Sequence, residues 1–208
     1  MGHGHGDEPY ISPDDPRLTP DQRARAKDLI ARTQVGMQRF PNELSLITAG
    51  YQTIRDADSG YEHYINWPLL TDGRTLDADA IESVVLEVKP GQPKRVVAAM
   101  YILPWGTSIN DVPEVAGPLT PWHNHKDLCW DPTGRTVLGV YRLGACMPAG
   151  TLKEIPPMLH VWTTPNECGP FAEVDDMNGL MDRILRGAGL LPPKPANPGC
   201  SHVHGSDR

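Results

Sequence analysis

Two stretches of alternating apolar residues, separated by a proline-glycine turn, constrain the fold of this chain more than any other feature. Residues 83–89 and 94–103 place apolar side chains at every second position, and Pro90-Gly91 lies between them. Alternate side chains on a strand point to the same face, so the pattern predicts an antiparallel hairpin in a half-buried sheet. The 22 prolines and 20 glycines of the chain predict many turns and few long helices.

Other segments complete a mainly β fold. Further strand patterns occupy Tyr61–Trp67, Thr136–Leu143 and Met158–Thr163. Apolar residues at helical spacing predict helices from residue 20 to about 40, from 41 to about 58, and from 171 to 186. We expect the first two helices to form a hairpin that caps the sheet. The predicted fold class is α+β, mainly antiparallel β in a sandwich or barrel-like arrangement, with an N-terminal helical hairpin and a short C-terminal helix.

The length and composition of the chain suit one sizeable core. It has 208 residues, of which 39% are hydrophobic and 22% are charged. We predict a flexible His-containing N-terminus at 1–19 and a single β-rich metal-binding domain at 20–187. A proline-rich linker with a His/Cys tail follows at 188–208.

The charge of the chain excludes some partners. Its formal net charge is -7 and its sequence has no Lys/Arg cluster, which argues against nucleic acid and anionic membrane surfaces. The longest apolar run, Val96–Leu103, is far shorter than the roughly 18–20 residues of a membrane span. The sequence has no visible secretory signal, so we expect either a cytoplasmic protein or one whose signal was removed.

Histidine is clustered in a way that composition does not explain. Six of the eight histidines lie in His-x-His pairs, where random placement would give about 0.3 such pairs. The three pairs are His3/His5, His123/His125 and His202/His204.

The central pair predicts a metal site. On an extended backbone, His123, His125, Asp127 and Cys129 would project from one face of a strand. Neutral imidazole is the commonest protein ligand for zinc and copper, so such a row can hold one ion. The alternative is an ordinary surface strand that carries two histidines.

The terminal pairs leave two interpretations open. His3 and His5 belong either to a flexible polar start or cloning remnant, or to a segment that captures metal ions. His202 and His204 follow Cys200, a soft ligand, and form either a solvated tail or a metal scavenger.

A lone histidine on a separate strand would complete a three-nitrogen site. His160 shares a strand face with Met158 and Trp162, and its alternative role is a hydrogen-bonded core histidine. The order of His-x-His, spacer and later histidine resembles that of cupins, which are small double-sheet β-barrels. The glutamate that cupins carry after the second histidine is missing, and Asp127 is the nearest carboxylate.

His63 is the candidate for a fourth ligand. It lies on the first predicted strand among Tyr61, Tyr64 and Trp67. It could bind the ion directly, or donate a hydrogen bond that orients another ligand.

Several blocks together resemble a particular family. They are GYEHYINWPLLTDGRTLD, VVAAMYILP, GPLTPWHNHKDLCW, PMLHVWTTPNECGPFA and the closing CSHVHG. The likeness, over roughly residues 20–175 and the tail, is to an uncharacterised family of bacterial, often actinobacterial, proteins, many of them extracytoplasmic. The resemblance implies that the defining blocks hold the residues His63, His123, His125, Cys129, His160 and Cys168. It also implies an extracytoplasmic protein whose signal or anchor is absent from this sequence.

The role expected for the four cysteines depends on whether the protein is in an oxidising or a reducing compartment. An oxidising compartment would favour one disulfide, most simply Cys146 with Cys168, although sequence alone does not fix the pairing. In the cytoplasm, Cys129 would instead be a candidate soft metal ligand.

Three functional classes follow from these residues. The first is a protein that binds or transfers copper or zinc, with iron less favoured, through His63, His123, His125 and His160. The second is a mononuclear metalloenzyme of oxidoreductase or hydrolase type, in which Asp127 or Glu62 acts as base toward a small substrate. The third is a structural domain without metal. The sequence does not fix the oligomeric state.

Overall fold

The computed structural model describes residues 11–57 and 60–174, and it confirms an α+β fold built mainly from antiparallel strands. Its two α-helices are α1 (Pro20–Met37) and α2 (Glu43–Thr48). Its strands are β1 (Gln52–Thr53), β2 (Tyr61–Ile65), β3 (Ser83–Glu87), β4 (Arg95–Ile102), β5 (Leu128–Trp130), β6 (Val137–Arg142), β7 (Ala145–Met147), β8 (Thr151–Leu152) and β9 (Met158–Trp162).

Helix α1 begins where the sequence predicts. The Thr19 side chain accepts a hydrogen bond from the Gln22 backbone, and the Gln22 side chain accepts one from the Thr19 backbone. This reciprocal pair satisfies two amide groups that the helix itself leaves unpaired. Leu18, just before the helix, is buried in the core.

The predicted second helix is wrong beyond residue 48. Helix α2 has six residues, and Gly50 follows it with a φ of 90°. That conformation favours glycine and directs the chain into β1. Leu44 of α2 is 71% exposed, whereas Tyr51 and Ile54, which lie in the range predicted as helix, are buried outside any helix. The predicted N-terminal helical hairpin is therefore not confirmed.

The strands form two antiparallel sheets. The first sheet has the order β1-β2-β3-β4-β9, and the second has the order β7-β6-β5-β8. The β3–β4 hairpin is confirmed, with Val84 opposite Ala99. A register shift between Val85 and Leu86 interrupts this pairing as a β-bulge.

The first sheet is buried on both faces, in contrast to the predicted half-buried sheet. Val84 and Leu86 face a core that includes Leu29 of α1. Val85 and Ala98 belong to the core shared with the second sheet. Both faces of the hairpin pack against apolar residues. The alternating pattern of the sequence therefore does not mean that one face is exposed to solvent.

The two sheets are also joined through the backbone. The Val137 amide donates to the Ile54 carbonyl at 2.8 Å, just beyond β1. Near the opposite edge, His123 forms an antiparallel bridge with Met158 of β9. These contacts give the barrel-like closure that the sequence predicted as one of two arrangements.

Some predictions fall outside the described residues. They concern the N-terminal histidines, the linker and tail, and nearly all of the helix predicted at 171–186. Within the described part of the chain, none of the helices combines the length and apolarity that a bilayer crossing requires.

Candidate metal site

Four histidine rings lie together on the face of the first sheet that is directed at the second sheet. The Nε2 atoms of His63 and His160 are 3.4 Å apart. The rings of His123 and His160 are stacked with centroids 5.1 Å apart, and His125 lies 5.5 Å from His123. The four histidines selected from the sequence therefore form one cluster.

The curvature of the first sheet allows His63 and His160 to meet. Two strands lie between β2 and β9, and a flat sheet would separate β2 from β9 by about 14 Å. The bulge after Val85 increases the local twist and bend of the sheet. In the register of the sheet, His63 is opposite Val85 and His160 is opposite Met100, so the two histidines are on the same face two strands apart.

The segment that carries His123 and His125 is not the predicted continuous strand. Strand β5 covers only 128–130, so the predicted row of four ligands on one strand face is wrong. His123 instead exchanges two backbone hydrogen bonds with Met158, at 2.8 and 3.1 Å, and the His125 carbonyl accepts from Ile155 at 3.1 Å. These bonds to the chain before β9 bring the pair beside His160.

The two other members of the predicted row have different roles. Asp127 has a side chain 45% exposed, with its Oδ1 3.8 Å from His125 Nδ1. Interaction with the His125 ring lowers the pKa of Asp127 below its usual value, which keeps this carboxylate ionised. Cys129 forms a disulfide with Cys146, so its sulfur is not a free thiolate ligand.

This disulfide corrects the pairing favoured by the sequence. Cys146 bonds to Cys129, not to Cys168, and the two Cα atoms are 5.7 Å apart. Cys168 is also disulfide-bonded, and none of the described cysteines is free. The sequence favoured Cys146 with Cys168 because both lie in loops that flank the strand of His160. Strands β5, β6 and β7 instead fold back on one another and bring Cys146 to Cys129.

Glu62 is on the wrong face of the sheet to act as a base at this cluster. It alternates with His63 on β2 and shares the opposite face with Tyr64, which belongs to the core against α1. Its Oε2 lies 2.6 Å from the Lys94 ammonium, and its Oε1 accepts a hydrogen bond from the Thr53 hydroxyl. The carboxylate is thus part of a buried ion pair.

Asp56 is a site residue that the sequence analysis missed. Its Oδ2 lies 2.5 Å from His63 Nδ1, and its Oδ1 accepts the His63 backbone amide at 2.9 Å. Asp56 is 8% exposed. A carboxylate at Nδ1 fixes the proton on that nitrogen, which leaves Nε2 with a free lone pair directed at His160.

The Nδ1 atoms of the His-x-His pair also face oxygen atoms. His123 Nδ1 lies 3.2 Å from the Pro121 carbonyl and 3.9 Å from Glu173 Oε1. His125 Nδ1 faces Asp127. A proton on Nδ1 satisfies these contacts, so Nε2 is the nitrogen that each ring can offer to a ligand.

Burial keeps the inner rings neutral. Burial, assisted by the nearby His125, lowers the pKa of His123 to about 3. Burial and the neighbouring His123 lower the pKa of His160 well below its usual value. Neutral imidazole is the form that binds metals. His160 Nδ1 is buried and has no hydrogen-bond partner among the described residues, which costs about 1–3 kcal/mol.

The distance between the two Nε2 atoms suits two ligands of one ion. Two nitrogens bound tetrahedrally to zinc at about 2.0–2.1 Å lie about 3.3 Å apart, close to the 3.4 Å seen here. Nevertheless, across residues 11–57 and 60–174 no set of three or more His, Cys, Asp or Glu side chains is already arranged to hold a metal ion. His63 and His160 form a pair, and the rings of His123 and His125 would have to rotate to join it.

A small cavity adjoins the cluster. It has a volume of about 30 Å³ and is lined by His63, His125 and Asp56 together with apolar side chains. That volume is enough for one water molecule or an ion of similar size. Its apolar lining consists of Ile54, Ile65, Met100, Ile102, Leu128, Ile155 and Met158.

No protein-family model matches the chain, and the search of curated proteins and that of solved structures found no match either. The resemblance to the bacterial family and the cupin-like order of histidines remain predictions.

Proposed function

We propose that this protein binds one transition-metal ion, copper or zinc, through His63, His123, His125 and His160. The observation that carries the proposal is the meeting of four imidazoles from three separate parts of the chain, with two Nε2 atoms 3.4 Å apart. Copper and zinc both accept several imidazole ligands.

The contact of Asp56 with His63 supports this proposal. Histidine ligands of metals almost always donate their second N–H to a carboxylate, carbonyl or water. The buried Asp56 carboxylate provides such an acceptor at 2.5 Å, and the Pro121 carbonyl provides one for His123 at 3.2 Å. Both contacts leave Nε2 as the ligand atom.

The energetics of the cluster without an ion also favour this role. With Nδ1–H donated to Asp56, His63 offers a lone pair, so His160 must supply the proton between the two Nε2 atoms. The resulting N–H···N contact of 3.4 Å is longer than a good hydrogen bond. An ion between the rings would use both lone pairs.

Metal analysis of the full chain tests the proposal. Purified protein is loaded with Zn²⁺ or Cu⁺, desalted and analysed by mass spectrometry for metal content. We expect about one ion per chain, retained in His3→Ala and lost in His160→Ala and His123→Ala. Equal loss from all three variants would indicate surface adsorption. Absence of metal from the wild-type protein would leave the structural interpretation.

A second candidate function is a mononuclear metalloenzyme of oxidoreductase or hydrolase type. It is favoured by the cavity beside His63 and His125, which could receive water or a small ligand. A second cleft shares three lining residues with this cavity, namely Ile65, Ile102 and Ile155. This cleft is lined by Trp67, Trp105 and Trp130, and the indole N–H groups of Trp67 and Trp130 have no hydrogen-bond partner among the described residues.

The enzyme candidate requires an open coordination position. Azide added to the Cu²⁺-loaded protein would bind there and produce a new charge-transfer absorption band. In that case Asp127, beside His125, is the carboxylate placed to act as base. An unchanged spectrum at high azide concentration would favour the metal-binding protein over the enzyme.

We also propose an extracytoplasmic location. The Cys129–Cys146 disulfide supports it because such bonds persist in oxidising compartments and are rare in the cytosol. Alkylation of free thiols in cells, followed by mass spectrometry, tests the location. Modification of Cys129 and Cys146 in unreduced samples would contradict it.

A further inference from the structure

We infer that the site selects the cuprous ion, which the thioethers of Met100 and Met158 bind together with the paired Nε2 atoms of His63 and His160. This inference rests on the proposed metal site and specifies its ion. Both methionines line the cavity that also contacts His63 and His125.

The positions of the two methionines follow from strand pairing. Met100 of β4 is the register partner of His160, and Met158 of β9 is the bridge partner of His123. Directly paired residues in adjacent antiparallel strands project to the same face, where their Cβ atoms lie about 5 Å apart. Each thioether is therefore beside one imidazole of the cluster. Their exposed fractions are only 3% and 2%, so both sulfur atoms are in an environment poor in water.

Thioether sulfur discriminates between the candidate ions. It is a soft ligand that favours Cu⁺, whereas Zn²⁺ in proteins is bound by thiolate, imidazole and carboxylate. Cys129 and Cys146 are oxidised to a disulfide and supply no thiolate. The soft donors near the cluster in the described chain are thus the methionines.

The charge around the cluster favours a monovalent ion. Among the described residues, Asp56 is the carboxylate buried against the imidazoles, at His63. Asp127 and Glu173, which face His125 and His123, have side chains 45% and 36% exposed, so solvent screens their charges. One Cu⁺ with the Asp56 carboxylate forms a neutral buried pair. A divalent ion would leave a net positive charge in an apolar surrounding, which is costly.

Leucine substitutions test the inference because they keep the volume of the methionine side chain and remove the sulfur. The full-length protein is titrated anaerobically with Cu⁺ against bicinchoninate and, separately, with Zn²⁺ against a chromogenic chelator. We expect Met100→Leu and Met158→Leu each to weaken Cu⁺ binding at least tenfold and to leave Zn²⁺ affinity within about twofold. Met37→Leu, in the core between α1 and the first sheet, is the matched control and should change neither affinity.

X-ray absorption at the copper edge gives an independent measurement. We expect a sulfur scatterer in the wild-type protein and its loss in the double variant Met100→Leu, Met158→Leu. Unchanged Cu⁺ affinity and an unchanged spectrum in that double variant would overturn the role of the thioethers. A wild-type protein that binds neither ion would instead overturn the proposed metal site. Parallel loss of Zn²⁺ and Cu⁺ affinity in the folded leucine variants would also overturn cuprous selectivity.

Discussion

Asp56 shows how a single residue can support the site without occupying a ligand position. It holds His63 by both its ring and its backbone amide, so the ring cannot turn without breaking a charge-assisted hydrogen bond. The sequence contained no signal for this role. Asp56 lies seven residues before its partner in a segment predicted as helix, whereas the observed backbone there is not helical.

Replacing Asp56 by asparagine tests this support. The variant removes the charge and one of the two acceptor oxygens, so we expect metal affinity to fall roughly 10–100-fold. The affinity is measured by chelator competition. Asp127→Asn, at the more exposed carboxylate beside His125, is the comparison and should have a smaller effect. An equal loss in both variants would argue against a special role for Asp56.

Glu82 is another buried carboxylate, on the side of the first sheet opposite the histidines. Burial raises its pKa from 4.5 to about 8, and its Oε2 accepts the Ile102 amide at 3.3 Å. The folded state binds the proton more tightly than the unfolded state, so stability falls as pH rises from about 4.5 to 8. The neutral acid is the form compatible with the fold.

Glu82→Gln removes this titration. The free energy of unfolding of the wild type should fall between pH 6 and pH 9, whereas that of the variant should not. We therefore expect the difference between variant and wild type to grow by a few kcal/mol over this range. Urea unfolding at both pH values measures the difference. A constant difference between the two proteins across this pH range would mean that Glu82 titrates normally.

At the scale of elements, the strands that contain strong alternation were predicted well. Strands β2, β3, β4, β6 and β9 all lie within their predicted ranges. The second helix was overextended because Tyr51 and Ile54 continue a helical spacing although Gly50 has ended the helix. The apolar spacing there serves burial of an extended segment, and local pattern does not distinguish the two cases.

Gly139 of β6 controls the approach of β7. A Cβ atom at this position would lie 2.1 Å from the Met147 carbonyl oxygen, which belongs to backbone and cannot easily move. We expect Gly139→Ala to lower the free energy of unfolding by about 1–3 kcal/mol. Urea denaturation measures this loss. The neighbouring Leu138 is 39% exposed, and Leu138→Ala should cost much less; a larger loss in that control would contradict the steric explanation.

At the scale of the whole molecule, an α+β fold of mainly antiparallel strands and one main helix could be predicted, but the convergence of the site could not. Sequence spacing identified His63, His123, His125 and His160 as candidates, because their residue types carry the chemistry. The distances between the four rings depend on the curvature of the first sheet and on the bridge from His123 to Met158. Both are long-range properties that local alternation does not report.

The buried histidines make the metal-free protein sensitive to acid. Because burial lowers the pKa of His123 to about 3 while the unfolded ring titrates near 6.5, the unfolded state binds more protons in between. The contribution of His123 to the free energy of unfolding is therefore fully present above pH 6.5 and is lost as the pH falls toward 3. The urea concentration at the midpoint of unfolding should fall as the pH is lowered from 7 to 4. In His123→Gln this midpoint should fall less steeply with pH. Equal slopes would exclude His123 as a cause.

The separation of His63 and His160 along the chain, 97 residues, has a consequence for the order of events during maturation. Strands β2 and β9 must already be paired with the β3–β4 hairpin before an ion can bind both rings. Metal binding would therefore follow folding. The bound ion would link β2 to β9 and slow the local opening of the sheet. Amide hydrogen exchange in β2 and β9 should slow on loading, while that in α2 stays unchanged.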